Sequence, residues 1–152
     1  MRKLFCFVAA AAFVFPSCTS SEAGTPQADA QSQAFNRYLR YNFGDSIGEE
    51  RHVYLVITKK SNRSVVPEKL RQLSPLLNGL PNGTCTAILS ADVPVTDSLL
   101  PACHCITDWD ATVDRLDLFP APLMLVATAR GRITELLRVS DMEAAKAFLK
   151  KE

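Results

Sequence analysis

The chain has 152 residues, with 17 Lys+Arg against 16 Asp+Glu and a formal net charge of +1. The length suits one ordinary domain with residues left for tails, and 47% hydrophobic with 22% charged residues excludes a wholly disordered chain. The near-even balance argues against a large polyanionic partner, so no nucleic acid is expected.

Arg2 and Lys3 precede Leu4 to Phe15, an uncharged and almost wholly apolar run. The run fits the core of a signal peptide and falls short of the ~20 residues that cross a bilayer. No later stretch is longer or more apolar, so no transmembrane helix is expected after cleavage. Phe15-Pro16-Ser17-Cys18 follows. A small residue directly before Cys, just after such a core, resembles the lipobox of bacterial lipoproteins. Phe15 and Pro16 depart from the usual Leu and small residue, which makes the resemblance one to the looser Bacteroides-type form. It implies diacylglycerol on the Cys18 thiol, cleavage that leaves Cys18 first, and palmitate among the acyl chains. The alternative is an ordinary signal peptide cleaved nearby.

Loss of residues 1–17 removes Arg2 and Lys3 and leaves 15 basic against 16 acidic residues. Thr19 to Gln33 is rich in Ser, Thr, Ala, Gln and Gly and has no apolar period, the composition of a flexible tether. The expected organisation is therefore a signal over 1–17, a tether over 18–33 and one domain over 34–152. The expected location is the bacterial cell envelope, held to a membrane through the N-terminal lipid and facing the periplasm or exterior.

From Ala34 the chain reads as folded. Phe35, Tyr38, Leu39 and Phe43 share one face of an amphipathic helix. His52 to Thr58 is β-branched and aromatic on both faces, a buried strand. Val66, Leu70, Leu73 and Leu77 form a second helical stripe, with Pro67 in the first turn, and Asn78-Gly79 ends it. Thr84 to Ser90 is a second strand. Ala91 to Thr107 reads as a long irregular loop broken by Pro94 and Pro101. Asp108 to Leu118 suits a short helix with Trp109, Val113 and Leu116 inward. Leu123 to Thr128 and Arg132 to Val139 are two more strands, joined tightly by Ala129-Arg130-Gly131. Ser140 with Glu143 forms a capping box for a last helix that buries Met142, Ala145, Phe148 and Leu149. A βαβ unit followed by a ββα unit makes an α/β fold, a mixed sheet with helices on both faces.

Phe119-Pro120-Ala121-Pro122-Leu123-Met124-Leu125-Val126, then Ala129-Arg130-Gly131-Arg132-Ile133, resembles the C-terminal half of the thioredoxin-like superfamily. The resemblance covers roughly residues 51–151. It implies a cis proline beside the active site, at Pro122 with Pro120 as second choice. It also places a Cys-x-x-Cys pair in the turn after the first strand, where a helix N-terminus makes the first thiol a nucleophile. That turn here reads Thr58-Lys59-Lys60-Ser61-Asn62-Arg63-Ser64-Val65, and no Cys lies between Gly24 and Thr84. A hydroxyl forms no disulfide, so the family's redox reaction is not expected. The implied role is a binding or scaffolding module for an envelope protein, with Ser61, Asn62, Arg63, Ser64 and Pro122 as the candidate surface. Lys59, Lys60 and Arg63 form a basic turn there, and no Gly-rich phosphate loop accompanies it.

Cys85, Cys103 and Cys105 remain in the domain. Export implies an oxidising compartment, so a structural disulfide from Cys85 to one of the other two competes with buried thiols and with a redox or metal role. A thiol–disulfide oxidoreductase built on these three cysteines is the alternative function. Cys103-His104-Cys105 offers soft ligands, yet adjacent residues converge poorly on one ion and no fourth ligand is evident, so neither metal nor cofactor is expected. Asp108, Asp110, Asp114 and Asp117 lack the glycine and terminal Glu of a calcium loop, and Asp108 reads as a helix cap. Asn62-Arg63-Ser64 and Asn82-Gly83-Thr84 match glycosylation acceptors by chance in such a compartment. With two His in the chain, no Ser-His-Asp set is plausible.

Overall fold

A computed structural model describes residues 26–59, 65–91, 93 and 99–151. Nine elements follow in chain order: α1 Pro26–Phe43, β1 His52–Ile57, α2 Val65–Leu77, β2 Cys85–Ser90, β3 His104–Asp108, α3 Thr112–Arg115, β4 Leu123–Ala129, β5 Arg132–Arg138 and α4 Met142–Leu149. The five strands form one mixed sheet in the order β3-β2-β1-β4-β5. β1 runs parallel to β2, and β2 parallel to β3. β4 runs antiparallel to both β1 and β5.

β1 is the central strand, which explains its apolar character on both faces. Val53, Leu55 and Ile57 pack with Leu70, Leu73 and Leu77 of α2 and with Ala145, Phe148 and Leu149 of α4. Tyr54 and Val56 point the other way, onto Phe35, Tyr38 and Leu39 of α1. Phe35 is the hub of that second layer. Its ring centroid lies 5.2 Å from Tyr54 and 5.4 Å from Phe119, both edge-on, and 6.0 Å from Tyr38. Edge-on pairs place the positive rim of one ring on the negative face of the next.

The β4–β5 turn is a two-residue hairpin. Arg130 and Gly131 have φ of 54° and 72°, the left-handed pair that matches strand twist. Both of their N–H groups donate outward, to the carbonyls of Glu49 and Gly48, so the hairpin tip is fastened to the segment before β1.

Several expectations are corrected. α1 begins at Pro26, so residues 26–33 are helix and not tether. Polar residues there carry the contacts: the Ser32 hydroxyl accepts the N–H of Ile133 at 3.0 Å, and Gln31 donates to the carbonyl of Leu118 at 3.0 Å. No apolar stripe is needed where hydrogen bonds hold the helix. His104 to Thr107, expected within a loop, and Asp108, expected to begin a helix, together form the edge strand β3. It is half-exposed and pairs on one side, so its alternation is weak. Trp109 and Leu116 are outward, 80% and 54% exposed. The stripe that would bury them needs a helix running past Leu116, whereas α3 is a single turn. The last helix is capped by Asp141, whose Oδ1 accepts the N–H of Glu143 at 3.1 Å. Ser140 lies in the bend between β5 and α4, its N–H bonded to the carbonyl of Arg138. No cis peptide bond occurs among the described residues, so Ala121–Pro122 is trans.

Cys85, the first residue of β2, and Cys103, the residue before β3, form a disulfide that closes a sequence separation of 18. Cross-linking a loop of that size restricts the unfolded chain and stabilises the fold by about 3 kcal/mol. Cys85→Ser is expected to lower unfolding free energy by that amount in chemical denaturation. Phe35→Ala is expected to cost about 3–5 kcal/mol, because it empties the aromatic hub.

Candidate functional site

The C-terminal ends of β1, β2 and β3 meet at one end of the sheet, the end where open α/β sheets place their ligands. Pro122 reaches the same end, because Leu123 at the start of β4 pairs with Ile57 at the end of β1. The N–H of Thr58 donates to the carbonyl of Pro122 at 3.0 Å. Pro122 is thus adjacent to the beginning of the turn with which it was expected to form a surface. Ser61, Asn62, Arg63 and Ser64 lie outside the described residues, as does Cys18.

Two aspartates organise this end. Asp108 is the last residue of β3 and is 2% exposed. Its Oδ2 accepts the Tyr38 hydroxyl at 3.0 Å and the N–H of Val113 at 2.8 Å. Its carbonyl accepts the N–H groups of Ala91 and Ala111. One residue therefore joins α1, β3, α3 and the segment after β2. Asp108, expected as the helix cap, is instead the last strand residue, and the N-cap position is Ala111; the Asp108 side chain reaches α3 by accepting the N–H of Val113. Asp114 supplies the second tie. Its Oδ2 accepts the Ser90 hydroxyl at 2.6 Å, and its Oδ1 accepts the N–H of Lys59 at 3.0 Å. α3 is so fixed to the end of β2 and to the segment just after β1.

These bonds matter because α3 is intrinsically poor. It has four residues, and it lies between Ala111 and Asp117, whose φ values of 48° and 47° are left-handed. Such conformations persist for non-glycine residues where the surroundings over-determine them. The result is a rigid turn that presents Trp109 and Leu116 to solvent. Thr58 adds a further polar group: it is 1% exposed, and its Oγ1 is the buried side-chain atom that finds no hydrogen-bond partner among the described residues.

The arrangement shows a held frame with an exposed aromatic, and its carboxylates are engaged in bonds to the fold. Among the described residues no three His, Cys, Asp or Glu side chains are placed to hold a metal ion. The cysteines lie apart from this end. Cys103, just before β3, is bonded to Cys85 at the start of β2, and Cys85 is 1% exposed. The thiol of Cys105 donates to the carbonyl of Cys103 at 3.8 Å. The Tyr38–Asp108 pair and the Asp114 ties were missed from sequence. The clue was the Asp at each end of the 108–114 stretch, flanking a turn too short to support itself.

At the opposite end of the sheet, Asp45, Glu49, Glu50, His52 and Thr84 line a shallow hollow of about 320 Å³. His52 and Thr86 share a hydrogen bond of 2.9 Å between Nε2 and Oγ1.

Comparison with protein-family models, with curated proteins and with solved structures finds no match.

Burial shapes the titration of three groups. It lowers the pKa of His52, opposed by the charge of Asp45. Burial raises Tyr54 to about 12, with a further push from Asp45. Burial also raises Tyr38, helped by the neighbouring Asp108 charge. A lowered His pKa means that the unfolded chain takes up its proton first as pH falls. Stability is therefore expected to decline below pH ~6.5, and His52→Gln to flatten that decline. The raised tyrosines work in the opposite direction: the unfolded chain ionises first, so stability is lost as pH rises above ~10, less steeply in Tyr54→Phe. Denaturation midpoints across pH 5–11 check both arms.

Proposed function

We propose that this chain is a lipid-anchored protein of a bacterial envelope, with a thioredoxin-like domain that has given up the paired thiols and serves as a binding module. The sheet order, with a βαβ half and a ββα half around a central apolar strand, supports the fold reading. The adjacency of Pro122 to Thr58 supports it too, while the trans bond at Pro122 departs from the family. Among the described residues no helix is long and apolar enough to cross a membrane, so attachment in this reading falls to the Cys18 lipid.

The observation that carries the binding role is Trp109. A tryptophan 80% exposed on a turn fastened by two aspartates is a preformed aromatic anchor, and such side chains dominate protein interfaces. Little ordering entropy remains to be lost on docking. Leu116 on the same turn extends the apolar contact, and Pro122 lies at the same end of the sheet. The partner in this reading is an envelope protein with an apolar pocket. A thiol–disulfide oxidoreductase using Cys85, Cys103 and Cys105 is the competing reading. Burial of Cys85 gives an external substrate little access to that bond.

Photo-crosslinking in cells tests the docking edge. A crosslinker at position 109 is expected to trap one discrete adduct, and one at the equally exposed Tyr41 is expected to trap none. Equal labelling from both positions, or none from 109, contradicts the reading. Metabolic palmitate labelling tests the anchor: it is expected to vanish in Cys18→Ala, and labelling that persists places the lipid elsewhere. Insulin reduction by the purified domain tests the competing reading, and no turnover is expected.

A further inference from the structure

The hollow at the other end of the sheet is rimmed by the segment between α1 and β1, and the fold holds that segment in place. Ile47 is buried, and its N–H donates to Asn36 Oδ1 at 2.9 Å. The N–H of Asp45 donates to the carbonyl of Leu39, and the carbonyls of Gly48 and Glu49 accept the hairpin N–H groups of Gly131 and Arg130. These bonds fix a loop that displays Asp45, Glu49 and Glu50 around about 320 Å³ of open space. A hollow of that size stands at the lower end of the range that takes small molecules.

The charge here is one-sided. Oδ1 of Asp45 accepts the N–H of Ser46 at 2.7 Å, while the Glu49 and Glu50 carboxylates have no partner among the described residues. Arg51 lines the hollow too, but its guanidinium donates to the carbonyl of Phe148 at 3.1 Å, a residue of the α2/α4 layer on the other face of the sheet. Burial lowers the pKa of His52 against the pull of Asp45, so its ring adds no charge at neutral pH.

One wall is aromatic and carries an open polar atom. The rings of His52 and Tyr54 lie 4.6 Å apart, and Phe35 meets Tyr54 edge-on. Tyr54 is 3% exposed and lines the hollow, and its hydroxyl makes no hydrogen bond among the described residues. A buried phenol usually has a partner. With its ring enclosed by His52 and Phe35, the hydroxyl end is the part of Tyr54 left to face the hollow. It lies within the field of Asp45, which adds to burial in raising its pKa to about 12.

We propose that this hollow binds a small organic cation, a primary alkylammonium whose head is held by the Asp45, Glu49 and Glu50 carboxylates and the Tyr54 hydroxyl, and whose stem lies along the His52 and Tyr54 rings. An ammonium brings three N–H donors to acceptors that the fold leaves open. Its charge is favoured by an aromatic face as well as by carboxylates. A metal ion fits less well, since among the described residues no three His, Cys, Asp or Glu side chains are placed to hold one. An anion is repelled. The head group is the same on a free amine and on a lysine side chain of a polypeptide, so either is a source of the ligand. The site lies at the opposite end of the sheet from the turn that carries Trp109 and stands apart from the docking reading.

Isothermal titration calorimetry of the full chain at low ionic strength tests the site with pentylamine, with its uncharged counterpart pentanol, and with Nα-acetyl-lysine amide. Saturable one-to-one binding of pentylamine is expected, and none of pentanol. Tighter binding of the lysine amide than of pentylamine assigns the ligand to a polypeptide, and weaker binding assigns it to a free amine. Asp45→Asn, which keeps an acceptor for Ser46, is expected to weaken binding about tenfold, and Tyr54→Phe about fivefold. Glu50→Gln, at an exposed position that carries no bond to the fold, is expected to weaken it about threefold and keeps the test open if Tyr54→Phe misfolds. Heats that do not saturate, an equal response to pentanol, or unchanged affinity in Asp45→Asn and Glu50→Gln overturns the proposal.

Discussion

The bond between the Tyr38 hydroxyl and the Asp108 carboxylate holds together the end of the sheet where β3 meets α1 and α3. A carboxylate 2% exposed is costly to bury unless donors surround it. Tyr38 provides one donor from α1 and Val113 provides another from α3. Because the acceptor is charged and the donors are fixed by helices, each bond is stronger than its exposed counterpart. The consequence extends outward. β3 gains a defined end, α3 gains a start it could not make for itself, and Trp109, the next residue after Asp108, gains a fixed exit from the fold.

The disulfide performs the matching task at the other end of β3. Cys85 and Cys103 pin its beginning to β2, and Asp108 pins its end to α1 and α3. An edge strand with a ladder on one side would otherwise fray readily. The strand thus hangs between one covalent and one electrostatic clasp.

Much of the fold was legible because it rests on periodicity. The stripe Leu70, Leu73, Leu77 could only be a helix against a core, and His52–Ile57, apolar on both faces, could only be an interior strand. The Arg130-Gly131 hairpin was legible from glycine at a left-handed position. What failed was structure that polar contacts hold. The first turns of α1 have no apolar stripe, because Gln31 and Ser32 are bonded to Leu118 and Ile133 far along the chain. β3 has a weak alternation because one side of it meets water. The Trp109–Leu116 stripe read as helix because an apolar spacing says nothing about a turn that two carboxylates shorten. The site was the least legible part, since its key pairs join residues 70 and 24 positions apart.

The central claim is that Asp108 and Tyr38 act as a coupled pair and not as two independent core residues. A double-mutant cycle with Tyr38→Phe and Asp108→Asn measures this directly by chemical denaturation. The pair is expected to show a coupling energy of about 1–3 kcal/mol, with the two single losses summing to more than the loss in the double variant. Losses that add to within about 0.5 kcal/mol would mean that the bond does not hold this end of the sheet.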